Sequence, residues 1–189
     1  MKDLVKKIIV CDFDNIPLND FPMSERFGLV VNKNNVKYEF LINFTPNKDK
    51  LICIGSGAID NPETYYHKPR FHRHSWNFGY STIYYNDPTR YLDDSLEGGW
   101  GIGTPEEWYL EVIKNIIIKI ARFFNFKNED ILFYGSSLGG FMSIQLSIMV
   151  KGSKSIADVP QLTFEKAAYF KHVKSILFPN MSDETILKK

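Results

Sequence analysis

The chain has little of three things that would narrow its function quickly: charge of one sign, cysteine, and long apolar runs. Its 23 basic and 22 acidic residues leave a formal charge of +1. Such a balance produces no field to draw the chain onto nucleic acid or an anionic membrane. Two cysteines, Cys11 and Cys53, are too few and too far apart for a disulfide framework or a zinc site. Each lies in an apolar run, where a thiol packs as a small hydrophobe. No apolar stretch approaches the roughly 20 residues that span a bilayer. The first residues, from Met1 to Lys7, lack the apolar core and small-residue cleavage site of a secretion signal. The expected compartment is therefore the cytoplasm, and nothing calls for a metal or a cofactor. Internal repeats, low-complexity tracts and linkers are also missing.

What is present is core-forming material: 44% of the 189 residues are hydrophobic and 15% aromatic. That suffices for a single domain over residues 1–189. Short runs rich in β-branched and aromatic residues recur at Lys7 to Phe13, Val36 to Phe44, Leu51 to Ile54, Ser81 to Tyr85 and Ile131 to Tyr134. Leu51 to Ile54 and Ile131 to Tyr134 are almost wholly apolar, and Val36 to Phe44 alternates poorly, as in strands covered on both faces. This points to a parallel sheet. A long amphipathic helix is expected from Thr104, as cap, and Pro105 to about Phe124. Further helices are expected over Phe141 to Val150 and Phe164 to Leu177, with a short strand at Ser155-Ile156-Ala157 between them. The order strand, helix, strand, helix is that of an α/β fold: a doubly wound, mostly parallel sheet with helices on both faces and its site at the strand C-termini.

The chemistry concentrates at Gly135-Ser136-Ser137-Leu138-Gly139. A serine hydroxyl is a poor nucleophile until a sharp strand-to-helix turn presents it to a base and sets the next N–H toward the developing oxyanion. Close packing at such a turn needs small residues two before and two after the nucleophile. Gly135 and Gly139 satisfy that for Ser137, whereas Tyr134 disqualifies Ser136. A second oxyanion donor is expected after the strand ending at Ile54, from Ser56, Gly57 or Ala58, with the Leu138 N–H as the first. An ordinary glycine turn explains that loop equally well.

A base and an acid are harder to assign. Downstream of the elbow the only histidine is His172, and the best-placed carboxylate is Asp158. The order Ser137, Asp158, His172 fits a triad, although His172 lies within a helical pattern. His67, His72 and His74 lie upstream in an aromatic loop, and Arg73 and Arg70 beside them suit an anionic substrate group. His74, Arg73 and Trp76 are accordingly the candidate substrate contacts. The same charges also fit a solvated loop, and the aromatics a core.

Asn61-Pro62 through Trp76, Asp87-Pro88-Thr89, Gly99-Trp100-Gly101-Ile102-Gly103, Phe133 to Gly140 and Val159-Pro160-Gln161 together resemble bacterial α/β-hydrolase-like proteins tied to capsular and other cell-surface polysaccharide biosynthesis. The resemblance covers roughly residues 50 to 165. The elbow is common to many serine hydrolases; the Trp-Gly-Ile-Gly turn with the later Pro-Gln is more particular. The resemblance implies an acylated glycan or related small ester as substrate, and a partner protein of a polysaccharide-biosynthesis system. The sequence departs from the complete fold after Asp158, where it has room for one helix and omits the last two strands that usually carry the base. It is a natural short form or part of a longer protein.

Two functions from different classes follow. One is a serine esterase or deacylase, or an acyltransferase using the same chemistry. The other is a non-catalytic module in which the elbow persists as a folding feature while aromatic loops bind a glycan or partner. A glycosyltransferase with Asn86-Asp87 or Asp93-Asp94 as metal ligands is a weaker third, because a turn and a cap explain those residues better.

Overall fold

The computed structural model describes residues 1–47, 49–59, 69–71, 73–162 and 169–187. His67, His72 and residues 164–168 of the helix expected over Phe164 to Leu177 lie outside the described residues. Among the described residues there are seven strands: β1 (Ile8–Asp12), β2 (Phe27–Lys33), β3 (Val36–Asn43), β4 (Leu51–Gly55), β5 (Ser81–Tyr85), β6 (Ile131–Ser136) and β7 (Lys154–Asp158). They form one sheet in the order β1-β2-β3-β5-β4-β6-β7. Pairings are parallel except at β2–β3 and β3–β5.

The strand that sequence reading missed is β2, and it changes the setting of β3. Asn34 and Asn35 adopt φ 49° and 63°, the left-handed backbone that a two-residue hairpin turn requires and that asparagine tolerates. They fold β3 back along β2, so Val36 to Phe44 is antiparallel to both neighbours and not part of the parallel ladder. Its weak alternation does reflect cover on both sheet faces, since Phe40, Leu41 and Ile42 are all buried, but such cover does not require parallel neighbours.

Four helices are described: α1 (Tyr109–Phe123), α2 (Leu138–Met149), α3 (Phe170–Leu177) and α4 (Asp183–Leu187). α1 starts five residues after the expected cap. Thr104 N–H donates to the Glu107 carbonyl (3.1 Å) and Glu107 N–H to Thr104 Oγ1 (3.2 Å). Those bonds close a separate turn in place of a first helical turn. The Glu107 carboxylate is meanwhile tied to the β2–β3 hairpin by Lys33, by Asn34 Nδ2 at 3.1 Å and by the Tyr38 hydroxyl at 3.3 Å. Beyond Trp108 the amphipathic pattern takes over, and Leu110, Ile113, Ile116, Ile117 and Ile120 bury completely or nearly so.

The larger core joins α1, α2 and α3 to one face of the sheet. A smaller one on the opposite face gathers Leu41, Ile52, Ile54, Phe71 and Tyr84, roofed by Met1, Leu4, Val5, Phe78 and Tyr134. β4 lies between the two cores and is buried throughout. No helix among the described residues is long and apolar enough to cross a membrane.

Candidate active site

Ser137 sits between β6 and α2 at φ 55°, ψ −119°, a backbone conformation that a residue with a Cβ adopts only at a cost of about 1–3 kcal/mol. The surroundings enforce it. A Cβ on Gly135 would overlap the Gly139 carbonyl, and one on Gly139 would stand 2.7 Å from Ser56 O and 2.9 Å from Gly55 O. Strand, helix and the loop after β4 therefore meet at backbone contact, and the serine between them is turned outward. Ser137 N–H donates to the Asp158 carbonyl (2.9 Å), while the Ser137 carbonyl accepts from Phe141 N–H (3.2 Å) and Gln161 N–H (3.4 Å). β7 and the segment after it thus hold the elbow from the side.

Of the expected oxyanion donors, Ser56 is committed elsewhere: its N–H donates to the Tyr85 carbonyl at 3.2 Å, extending the β4–β5 ladder by one residue. Its Oγ is buried and has no partner among the described residues. Gly57 is better placed. A Cβ there would be 3.7 Å from Ser136 O, and no described carbonyl accepts its N–H. Leu138 opens α2, where first-turn N–H groups have no helical acceptor and the helix dipole favours negative charge. Gly57 and Leu138 remain the candidate oxyanion donors.

The acid and the histidine each have other partners. His172 Nε2 lies 3.0 Å from Ser95 Oγ, which in turn donates to Asp93 Oδ1 at 2.7 Å. The Ser95 hydroxyl and N–H hold the Asp93 carboxyl below its usual pKa, with a smaller contribution from His172. Asp158, half-exposed, directs Oδ2 toward Arg73 Nη2 at 3.5 Å. Among the described residues no hydrogen bond joins Ser137 Oγ to a histidine, or His172 to Asp158. His74 Nδ1 is 2.9 Å from its neighbour Phe71's carbonyl.

Arg73 is the most constrained of the loop candidates. Its guanidinium lies 4.6 Å from the Trp76 ring and 5.0 Å from the Tyr134 ring, and also donates to the Tyr134 hydroxyl. Stacking between two aromatic faces is a geometry that guanidinium favours. Tyr134 precedes Ser137 by three residues on β6, so Arg73, Trp76, Tyr134 and Asp158 form one polar-aromatic patch next to the elbow. Tyr134 was not anticipated there; its alternation to the face opposite Phe133 was the available signal.

Sequence reading weighed Asp87 as a metal ligand and preferred for it the role of a turn residue. It is wholly buried. Its Oδ1 accepts N–H bonds from Thr89 (3.0 Å) and Gly101 (3.1 Å), and its Oδ2 one from Gly99 (2.6 Å). Burial raises its pKa, while these N–H donors and Arg90 pull the other way. Thr89 Oγ1 accepts from Gly103 N–H at 3.1 Å. Trp100, at φ 54°, donates from Nε1 to Gln161 Oε1 at 2.6 Å, and Gln161 reaches the Ser137 carbonyl. Asp-Pro-Thr, Trp-Gly-Ile-Gly and Pro-Gln are therefore one connected support behind the elbow. With three N–H donors on its oxygens, Asp87 is a scaffold residue in this structure.

No protein-family profile and no curated sequence matches the chain. Solved structures do. An S-formylglutathione hydrolase from Agrobacterium tumefaciens superimposes with a TM-score of 0.56 at 12% identity, over 84% of this chain and 66% of that one. The fold is that of the α/β hydrolases. A capsule O-acetyltransferase of Neisseria meningitidis serogroup A matches with a TM-score of 0.55 at 19% identity, over 84% of this chain and 62% of that one. The glycosylation-associated Gap123 complex from Streptococcus agalactiae matches with a TM-score of 0.62 at 17% identity, over 85% and 31% respectively. The structural likeness thus includes the α/β-hydrolase-like group that the sequence motifs resemble. The chain spans less than two thirds of the length of each of these proteins.

Proposed function

We propose that this chain carries out acyl chemistry on an ester through Ser137, as a serine esterase, deacylase or acyltransferase whose substrate is an acylated glycan or a related small ester. The observation that carries the proposal is the strained elbow: nothing in folding calls for a serine at φ 55°, ψ −119°, whereas a nucleophile presented above a helix N-terminus does. In this reading Ser137 Oγ attacks the ester carbonyl. The N–H groups of Leu138 and Gly57 hold the oxyanion, and Arg73, Trp76 and His74 contact the substrate. The glycan class is supported by the likeness to the capsule O-acetyltransferase and the glycosylation-associated complex, and the latter also supports action beside a partner protein.

By order along the chain His172 is the base and Asp158 the acid, which requires His172 to exchange Ser95 for Ser137 and Asp158 to release Arg73. The contacts they make instead favour a second reading, a glycan- or partner-binding module that retains the elbow as a folding feature. Labelling with a fluorophosphonate decides between them. Covalent labelling of the wild type that disappears in Ser137→Ala, and slows by about 10²-fold or more in His172→Ala, supports the enzyme with its full relay. No labelling of well-folded wild type leaves the binding module.

A further inference from the structure

A cleft of about 160 Å³ lies on the far side of β4 and β5 from Ser137, where the first half of β3 runs on past the end of β5 and the short 3₁₀ turn Pro88–Tyr91 packs against it. Its lining includes Val36, Lys37, Glu39, Pro88, Tyr91 and Leu92. The Glu39 carboxylate is fixed from behind. The Tyr91 hydroxyl donates to Glu39 Oε2 and accepts from Asn86 Nδ2 at 2.8 Å. Asn86 Oδ1 in turn accepts from Arg90 Nη1 at 3.3 Å and from Arg70 N–H at 3.2 Å. The second carboxylate oxygen is left over: Glu39 Oε1 accepts no hydrogen bond among the described residues and is not shut away from solvent. Burial raises the Glu39 pKa against the Tyr91 hydrogen bond and Lys37. A carboxylate that is costly to bury, held rigidly through one oxygen and open to a cleft through the other, is arranged to accept from a ligand.

The lining selects the ligand class. Glu39 and Lys37 are its charged groups and offset one another, so the cleft has no net charge to draw in an ion. Val36, Pro88 and Leu92 supply apolar surface beside the acceptor. A neutral sugar ring suits both, with hydroxyls on its rim and C–H groups on its face. The size agrees, since pockets for drug-sized ligands start at about 300 Å³ and this cleft is smaller. So does the position. The Glu39 carbonyl accepts from Asn86 N–H and the Tyr85 carbonyl from Ser56 N–H, both at 3.2 Å, so Glu39 stands level with the loop that leads to Gly57. From β3 to β6 the sheet order is β3-β5-β4-β6, three strand spacings or roughly 14 Å. Glu39 also shares the sheet face of Leu41, the face that carries Tyr134 and, stacked on it, Arg73.

We infer that this cleft is a subsite for one neutral sugar ring, whose hydroxyls donate to Glu39 Oε1 while a C–H face rests on Val36, Pro88 and Leu92. The subsite rests on the glycan class proposed above and narrows it. A glycan seated here reaches Ser137 only through further rings, so the substrate is an oligosaccharide or polymer and not a small ester.

The test is NMR of the full chain, with methyl and amide resonances followed as neutral methyl glycosides of hexoses and N-acetylhexosamines are added to concentrations above about 1 mM. At least one glycoside should shift the Val36 and Leu92 methyl resonances saturably. Glu39→Gln should weaken that binding about tenfold, because the Tyr91 hydroxyl holds the glutamine oxygen and the amide N–H₂ then faces the sugar's donors. Leu92→Arg, at a side chain 36% exposed, should close the mouth without disturbing the core and abolish the shifts. Shifts that survive either variant undiminished overturn the inference. Shifts confined to Trp76 and Tyr134 overturn the subsite and leave the glycan class standing, whereas no shift anywhere in the folded chain overturns both. If tetramethylammonium shifts the cleft resonances and no glycoside does, the cleft is a cation site and the inference fails. None of these readouts depends on Ser137 being reactive.

Discussion

Ser137 and its two glycines occupy their positions for opposite reasons. The glycines are there because nothing larger fits, and the serine is there although its backbone would be easier for glycine. Replacing Ser137 by glycine should therefore raise the unfolding free energy by about 1 kcal/mol, the relief of a left-handed non-glycine residue less the entropy glycine adds to the unfolded chain. Ser137→Ala should leave stability near wild type. Urea titration of both variants checks this, and a stability loss in Ser137→Gly would mean that the hydroxyl holds the elbow together. At Gly139 the sign reverses: a methyl group 2.7 Å from Ser56 O and 2.9 Å from Gly55 O meets backbone on both sides. Gly139→Ala should cost about 2 kcal/mol or more and abolish any fluorophosphonate labelling by displacing Gly57. These positions were legible in the sequence because steric exclusion acts over four residues. Whether Asp158 and His172 serve Ser137 is not legible in the same way, because which side chains meet Ser137 depends on loops far apart along the chain.

At the scale of elements, Asp87 organises the turn from Gly99 to Gly103 by accepting its N–H groups in the interior. Asparagine there keeps one acceptor oxygen but sets an amide N–H₂ against the Gly99 or Gly101 donors. Asp87→Asn should therefore destabilise the fold by about 1–3 kcal/mol, seen as a lowered midpoint in thermal unfolding. The dependence on pH has a definite sign. Burial raises the Asp87 pKa in the folded state, so the folded chain binds a proton that the unfolded chain has released. Its contribution to stability is fully present below the ordinary aspartate value and is lost as pH rises through the raised one. The stability gap between wild type and Asp87→Asn should accordingly narrow as pH rises across that window, and a gap that widens would show that the N–H donors outweigh burial. The Asp-Pro-Thr and Trp-Gly-Ile-Gly motifs could be read in the sequence, but not their connection, because it runs through one buried carboxylate and the Trp100–Gln161 bond. Among the strands, those with continuous apolar runs were legible. β2 was not, since it is defined by its pairing with β3 across the Asn34-Asn35 turn, a signal of turn chemistry and not of hydrophobic period.

For the molecule as a whole, the sheet is protected unevenly. β4 is sealed between two cores and flanked by β5 and β6, whereas among the described residues β7 has a strand partner along one edge only. The sheet's place at the centre followed from strand spacing. The unequal cover of its two faces did not, because the smaller core is closed by Met1, Leu4, Val5, Phe71 and Phe78, which follow no regular period. Amide hydrogen exchange should reflect this arrangement directly. Main-chain N–H groups of β4 and β6 should be among the slowest in the protein. Along β7 protection should alternate in the dilute chain, with Ile156 and Asp158 slow because their N–H groups turn toward β6, and Ser155 and Ala157 fast because theirs face solvent. Were Ser155 and Ala157 instead slow, further chain would have to cover the edge.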